Sequence, residues 1–259
     1  MQTVLFHSTI FGPIHSRRLG ISLGVNLMPN DGKICSFDCV YCEAGYNAQG
    51  PGKSGVPTRD EVKRELKQKL EQMQAEGKGL DVITFSGNGE PTLHPQFREI
   101  VHDVLVLRDH YYPQAKVSVL SNSTMAARPH VAEALLKVDN NILKLDSAIP
   151  ATMRAINQPA SLQVQPQGII DDLKQFAGQC IVQTMFVRGE HNGVKIDNTT
   201  EAEVQALIAA YKQIEPREVM VYSLDRPTPE QHLSKVPREE LEQIGATIEA
   251  AGIKVQVNS

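Results

Sequence analysis

The feature that most constrains what this chain can fold into is an alternation that starts near residue 80 and runs to the C-terminal region. Short runs rich in β-branched and apolar residues, at 81–86, 116–121, 142–146, 180–187, 218–222 and 254–257, have the length and composition of strands. Between them apolar residues recur three and four apart: Phe97, Ile100, Val101, Val104 and Leu105; Val131 and Leu135; Val204, Leu207, Ile208 and Tyr211; Leu241, Ile244, Ile248 and Ala251. The stretch 150–178 reads as two helical pieces broken near Pro159 and Pro166. A strand at 21–27 and a helix carrying Val62, Leu66, Leu70 and Met73 add one more unit upstream. Thr58-x-x-Glu61 and Thr200-x-x-Glu203 have the form of capping boxes, and Gly77 supplies a stop. Because parallel strands need a crossover to join them, the pattern predicts an α/β fold with right-handed β/α units. Eight units close a barrel, whereas about six predict a partial, open TIM-like barrel. No repeat or composition shift divides the chain, so 1–259 reads as one domain.

In such folds chemistry gathers where strands end. The polar residues of this sequence do collect there: Ser86-Gly87-Asn88-Gly89-Glu90-Pro91, Ser121-Asn122-Ser123, Lys144-Leu145-Asp146-Ser147, Gln183 and Thr184 with Arg188, and Tyr222-Ser223-Leu224-Asp225-Arg226-Pro227. The strand at 21–27 delivers the chain into a loop at 29–56 that holds Cys35, Cys39 and Cys42, spaced C-x3-C-x2-C.

Three thiolates from so short a segment can hold a metal centre, but a closed tetrahedral zinc site or an ordinary 4Fe-4S cluster uses four protein ligands. Two readings stay open at this point, zinc with His7 or His15 as fourth ligand, or a cluster with one iron left open. Cys180 falls in a strand that reads as buried, where a free cysteine acts as a small hydrophobe. The start, Met1-Gln-Thr-Val-Leu-Phe-His7, lacks the basic and apolar regions of a secretion signal, so the expectation is a reducing cytoplasm without disulfides. No apolar run approaches the roughly 20 residues needed to span a bilayer. With 26 Lys+Arg against 30 Asp+Glu the net charge is -4, which argues against a broad nucleic-acid footprint and leaves only local patches such as Arg17-Arg18 to grip phosphate.

The cysteine loop with Tyr41 before its last cysteine, the Gly-Asn-Gly-Glu-Pro segment and the Ser-Asn strand end together resemble the radical S-adenosylmethionine (SAM) superfamily over nearly the whole chain. More narrowly, Ser-Arg-Arg-Leu-Gly-x-Ser-Leu-Gly-Val, Phe-Asp-Cys-Val-Tyr-Cys and Leu-Asp-Arg-Pro-Thr-Pro resemble small bacterial and archaeal iron-sulfur oxidoreductases related to the wybutosine-synthesis radical enzymes. The resemblance implies a 4Fe-4S cluster on Cys35, Cys39 and Cys42 whose fourth iron is ligated by SAM. It implies that the Gly87-Asn88-Gly89-Glu90 turn lies beside the methionine amino group, that Tyr41 lies against the adenine, and that Ser121 and Asn122 face ribose or carboxylate. Lys144 and Asp146, two apart on one strand face, are SAM contacts or an ion pair. Gln183 is a SAM or substrate contact, and Tyr222, Asp225 and Arg226 are the substrate-facing candidates. His94 reads as a local hydrogen-bonding residue.

The expected reaction is reductive SAM cleavage to a 5'-deoxyadenosyl radical for hydrogen abstraction from a small molecule or a protein, with flavodoxin or ferredoxin as electron donor. Two alternatives remain. One is tRNA modification of the wybutosine kind, against which stand the acidic balance and the absence of further N-terminal cysteines; the other is a non-catalytic metal or electron-transfer module.

Overall fold

A computed structural model of the chain describes residues 4–16, 20–226 and 228–258. It opens on a hairpin, β1 (Ile10–Ser16) antiparallel to β2 (Gly20–Val25). Then follow α1 (Arg59–Ala75), β3 (Val82–Phe85), α2 (Phe97–Tyr111), β4 (Lys116–Ser121), α3 (Pro129–Leu135), β5 (Asn140–Lys144), α4 (Pro150–Asn157) and α5 (Pro166–Leu173). The second half comprises β6 (Ile181–His191), β7 (Val194–Asp197), α6 (Glu201–Ile214), β8 (Glu218–Ser223), β9 (Leu233–Lys235), α7 (Arg238–Ala250) and β10 (Val255–Asn258).

Strands β2, β3, β4, β5, β6, β8 and β10 lie side by side in that order, all parallel. The sheet ends at β1 on one side and β10 on the other, without a ladder between them, so the barrel is open as the unit count predicts. All four residues of β3 are buried, as expected of a strand covered on both faces. Phe85 points outward to meet Phe97 of α2, ring centroids 6.0 Å apart, while Thr84 points inward, its hydroxyl 2.9 Å from Ser22 Oγ. Among the described residues no helix is long and apolar enough to cross a membrane.

Local chemistry starts the helices. Thr58 N donates to Glu61 Oε2 at 2.7 Å and Glu61 N to Thr58 Oγ1 at 3.3 Å, a complete capping box for α1, which buries Val62, Leu66, Leu70 and Met73. The second box is half formed. Glu203 N bonds Thr200 Oγ1 at 3.4 Å, but the Glu203 carboxylate turns inward to accept from Ser147 Oγ at 2.7 Å.

Three elements escape the sequence pattern. The segment at Phe11-Gly-Pro has turn chemistry yet forms β1, because the register shift between Phe11 and Ile14 makes a bulge, where an edge strand tolerates proline. Strand β6 runs past Val187 to His191, and its extension pairs antiparallel with β7 and β9, which are too short and polar to show a period.

Candidate functional site

The loop after β2 carries the three cysteines and is gripped from two sides. On one, Ile34 N donates to the Asn88 carbonyl at 3.2 Å and Glu90 N to the Ile34 carbonyl at 3.0 Å, joining the loop to the turn after β3. Only glycine permits this approach: a Cβ on Gly89 would lie 1.9 Å from the Ile34 carbonyl oxygen, and one on Gly87 2.5 Å from Asn26 Oδ1. On the other side the loop caps α4, whose last carbonyls have no partner inside the helix. Val40 N donates to Ile156 O and Asp38 N to Asn157 O, both at 2.9 Å.

Two amides reach the sulfurs. Asn122 Nδ2, just past β4, lies 3.5 Å from Cys35 Sγ and 2.8 Å from Ser36 Oγ, and Asn157 Nδ2 lies 3.4 Å from Cys39 Sγ. All four cysteines are free. Burial pushes the Cys35 thiol up to about 12 and that of Cys39 up to about 11, so each keeps its proton at neutral pH until a cationic centre displaces it. Among the described residues no three His, Cys, Asp or Glu side chains are already gathered around one point. His7 bonds the Asn30 carbonyl at 3.0 Å.

Glu90 is 2% exposed and accepts from Thr92 N at 3.0 Å, Thr92 Oγ1 at 2.6 Å and Asn122 N at 2.6 Å. Burial raises its pKa against the pull of these donors. Its carboxylate thereby ties the end of β3 to the end of β4. The buried Asn88 side chain accepts from Phe6 N at 2.9 Å and donates to the Phe6 and Pro29 carbonyls at 2.8 Å, which leaves its backbone as the part facing the cysteine loop. Asn122 Oδ1 accepts from Thr124 N at 3.1 Å and from its hydroxyl at 2.8 Å.

A second network crosses the barrel. Strand β5 ends at Lys144, two residues short of the predicted 146, so Asp146 lies just past it, yet the two side chains meet: Lys144 Nζ is 3.5 Å from Asp146 Oδ1. Asp146 also accepts from Tyr41 Oη, from Asn157 Nδ2 at 2.6 Å and from Met185 N at 2.9 Å. The Lys144 ammonium donates to Tyr222 Oη at 3.1 Å and stands 5.2 Å from the Tyr41 ring, and Tyr222 in turn donates to Gln183 Oε1 at 3.4 Å. Burial works against the ammonium, but Asp146, Tyr222 and Cys39 outweigh it and hold Lys144 above the usual lysine value. Burial, then Asp146, raises Tyr41.

The barrel interior is a cavity of about 630 Å³. Of the predicted site residues, Tyr41, Cys42, Gly87, Gly89, Lys144, Gln183, Tyr222, Asp225 and Arg226 line it. Cys35, Cys39, Asn88, Glu90, Ser121, Asn122 and Asp146 do not line it; among these, Cys35 and Cys39 contact Asn122 and Asn157. Arg226 Nη1 pairs with Glu43 Oε2 at 2.8 Å at the exposed rim, and Lys235 Nζ lies 3.9 Å from Asp225. Arg17, Arg18 and Pro227 lie outside the described residues. Sequence reasoning missed Asn157, which is 1% exposed and shared between Cys39 and Asp146; nothing separates it in sequence from an ordinary helix-end polar residue. His94 meets expectation, pairing with Pro57 O at 2.8 Å, and Cys180 is fully buried.

The model of the radical SAM superfamily matches residues 30–163, which hold the cysteine loop, the glycine turn and the Lys144-Asp146 pair. The chain belongs to the radical SAM superfamily. A UPF0026 protein of Synechocystis (slr1464) is 34% identical over 85% of this chain and 77% of its own length. A Brachyspira hyodysenteriae protein called GTPase Obg is 27% identical over 96% of this chain, which spans only 35% of that longer protein. Among solved structures, TYW1 with a lysine-pyruvate adduct bound aligns over 90% of this chain and 75% of its own, with TM-score 0.61 and 12% identity, a likeness of fold.

Radical SAM membership implies a 4Fe-4S cluster and SAM, and the residues fit both. Three free thiols sit in one loop, two with amide donors on sulfur, as iron-bound thiolates accept them. The wall beside Cys42 offers glycine backbone, an ammonium, two phenols and an amide to a polar cofactor.

Proposed function

We propose that this chain is a hydrogen-abstracting radical SAM enzyme that holds one 4Fe-4S cluster on Cys35, Cys39 and Cys42. Bound together and reduced, the cluster and SAM supply methionine and a 5'-deoxyadenosyl radical. The supporting observation is the seating of the cysteine loop: it is gripped by the Gly87–Gly89 turn and by the end of α4, and its last cysteine opens into the 630 Å³ cavity.

In this reading Gly87 and Gly89 present backbone to the methionine end of SAM, Lys144 offers its ammonium to an anionic group, and Tyr41 orders the near wall through Asp146. Asn122 and Glu90 act from behind, fixing the cysteine loop against the end of β4. Tyr222, Asp225 and Arg226 face the substrate, a small molecule or a protein side chain, which enters at the open side of the barrel. A flavodoxin or ferredoxin of the cytoplasm donates the electron. Enclosure by Phe6, Phe11, Leu120, Ile142 and Met220 limits water around the reacting groups.

The test is anaerobic reconstitution of the full chain. It should take up about four irons per chain, the number in the proposed cluster, and with dithionite and SAM release 5'-deoxyadenosine. Undiminished release from Cys39→Ala would sink the assignment.

A further inference from the structure

A buried charge ahead of the first cysteine has no part in the chemistry described so far. Lys33 is 4% exposed, and its ammonium donates to Asp38 Oδ1 at 2.9 Å and to the Gly45 carbonyl at 2.7 Å. These acceptors are interleaved with the cysteines in sequence. Asp38 lies between Cys35 and Cys39, and Gly45 N bonds the Cys42 carbonyl at 3.0 Å, so the ammonium sits inside the loop that carries all three thiols.

The two ends of this ion pair are unequal. The Lys33 side chain is 2% exposed and that of Asp38 22%, and Asp38 Oδ1 is also bonded by Asn47 N at 2.8 Å. Partial exposure and the Asn47 amide moderate the carboxylate, whereas the ammonium is almost wholly buried. A neutral donor could clip Asp38 to Gly45 at a lower desolvation cost. The Asp38 carboxylate already answers the Lys33 charge, and three thiolates carried by the same loop would add further negative charge around it.

We propose that Lys33 is a positioning residue that balances the negative charge of the three-thiolate cluster and raises its reduction potential, with Asp38 acting in the opposite sense. The proposal rests on the reading that the loop holds a cluster. One-electron reduction adds negative charge to an already anionic group, so a nearby cation stabilises the reduced form and a nearby anion the oxidised one.

The experiment uses the full chain reconstituted without SAM, its cluster reduced stepwise by dithionite against mediator dyes and followed by the paramagnetic resonance of the reduced state, with iron and sulfide counted in every sample. Lys33→Met should shift the reduction equilibrium at least tenfold toward the oxidised form, about 59 mV for one electron. Asp38→Asn should shift it toward the reduced form, and Lys33→Arg should stay within about threefold of the parent, since it keeps the charge. Parental potentials in Lys33→Met and Asp38→Asn, or shifts of the same sign, overturn the proposal, because a merely mechanical clip changes cluster content without opposing shifts in potential. If Lys33→Met retains no iron, Asp38→Asn decides, and an unchanged or lowered potential there overturns it. A parent chain that takes up no cluster refutes the proposed function and this inference with it.

Discussion

Gly89→Ala probes the joint between the cysteine loop and the rest of the barrel. Gly89 has φ 145°, a region that costs a residue with a side chain about 1–3 kcal/mol. Its new Cβ would lie 1.9 Å from the Ile34 carbonyl oxygen and 2.7 Å from the Ile34 carbonyl carbon, both backbone atoms that cannot rotate aside. Relief requires the loop to withdraw, which breaks the Ile34 N to Asn88 O and Glu90 N to Ile34 O bonds, about 1 kcal/mol each. The expected total is about 3–5 kcal/mol, a fall in Tm of roughly 10 °C for a chain of this size. Gly55→Ala is the control: its φ is also positive, at 70°, but nothing lies within 4 Å of the new Cβ, so it should cost only about 1–2 kcal/mol. Thermal unfolding of the metal-free chains, followed by circular dichroism, measures both, and iron uptake on reconstitution measures the loop. Gly89→Ala as stable as Gly55→Ala, with full iron uptake, would refute the claim that close backbone approach at Gly89 seats the cysteines.

Asn157→Ala removes the amide shared by Cys39 and Asp146 and should destabilise the chain by about 2 kcal/mol while lowering iron retained after gel filtration; unchanged stability would deny Asn157 its role. Asp103, bonded by Arg59 Nε at 2.6 Å and Nη2 at 3.0 Å, ties α1 to α2, and the Arg59 hydrogen bond holds its pKa below the usual value. A depressed pKa contributes stability that is present above the ordinary aspartate pKa of 3.8 and lost as pH falls through the folded value, so the stability gap between the parent and Asp103→Asn, about 1–2 kcal/mol at pH 7, should close on acidification below that range in urea titrations. Cys180, its thiol pushed up to about 12 by burial, should resist iodoacetamide in the folded metal-free chain and react on unfolding, as read by peptide mass; modification as fast as that of Cys42 contradicts the packing.

Much of the architecture was legible because its signals are local. The apolar stripe of α1, its capping box and the β-branched runs of β4 and β6 each encode their element within a dozen residues, and the alternation of elements then leaves few topologies. The strand-end rule also picked out residues that the fold brings together, since Gly87, Lys144, Gln183 and Tyr222 all line one cavity. The hairpin and the β6 extension were not legible, because a bulged edge and strands of three or four residues carry no period.

What the sequence by itself determined is the spacing of three thiols within eight residues and the order of the polar strand ends that follow them. Only the tertiary structure decided what each polar side chain does: that Asn157 serves Cys39 from a helix 118 residues farther on, that Asn88 and Glu90 stitch elements together, and that Lys33 is buried inside the cysteine loop. Spacing fixes which ligands can meet because the chain between them is short; burial and hydrogen-bond partners come from segments far apart in sequence, whose encounter exists only once the barrel is packed.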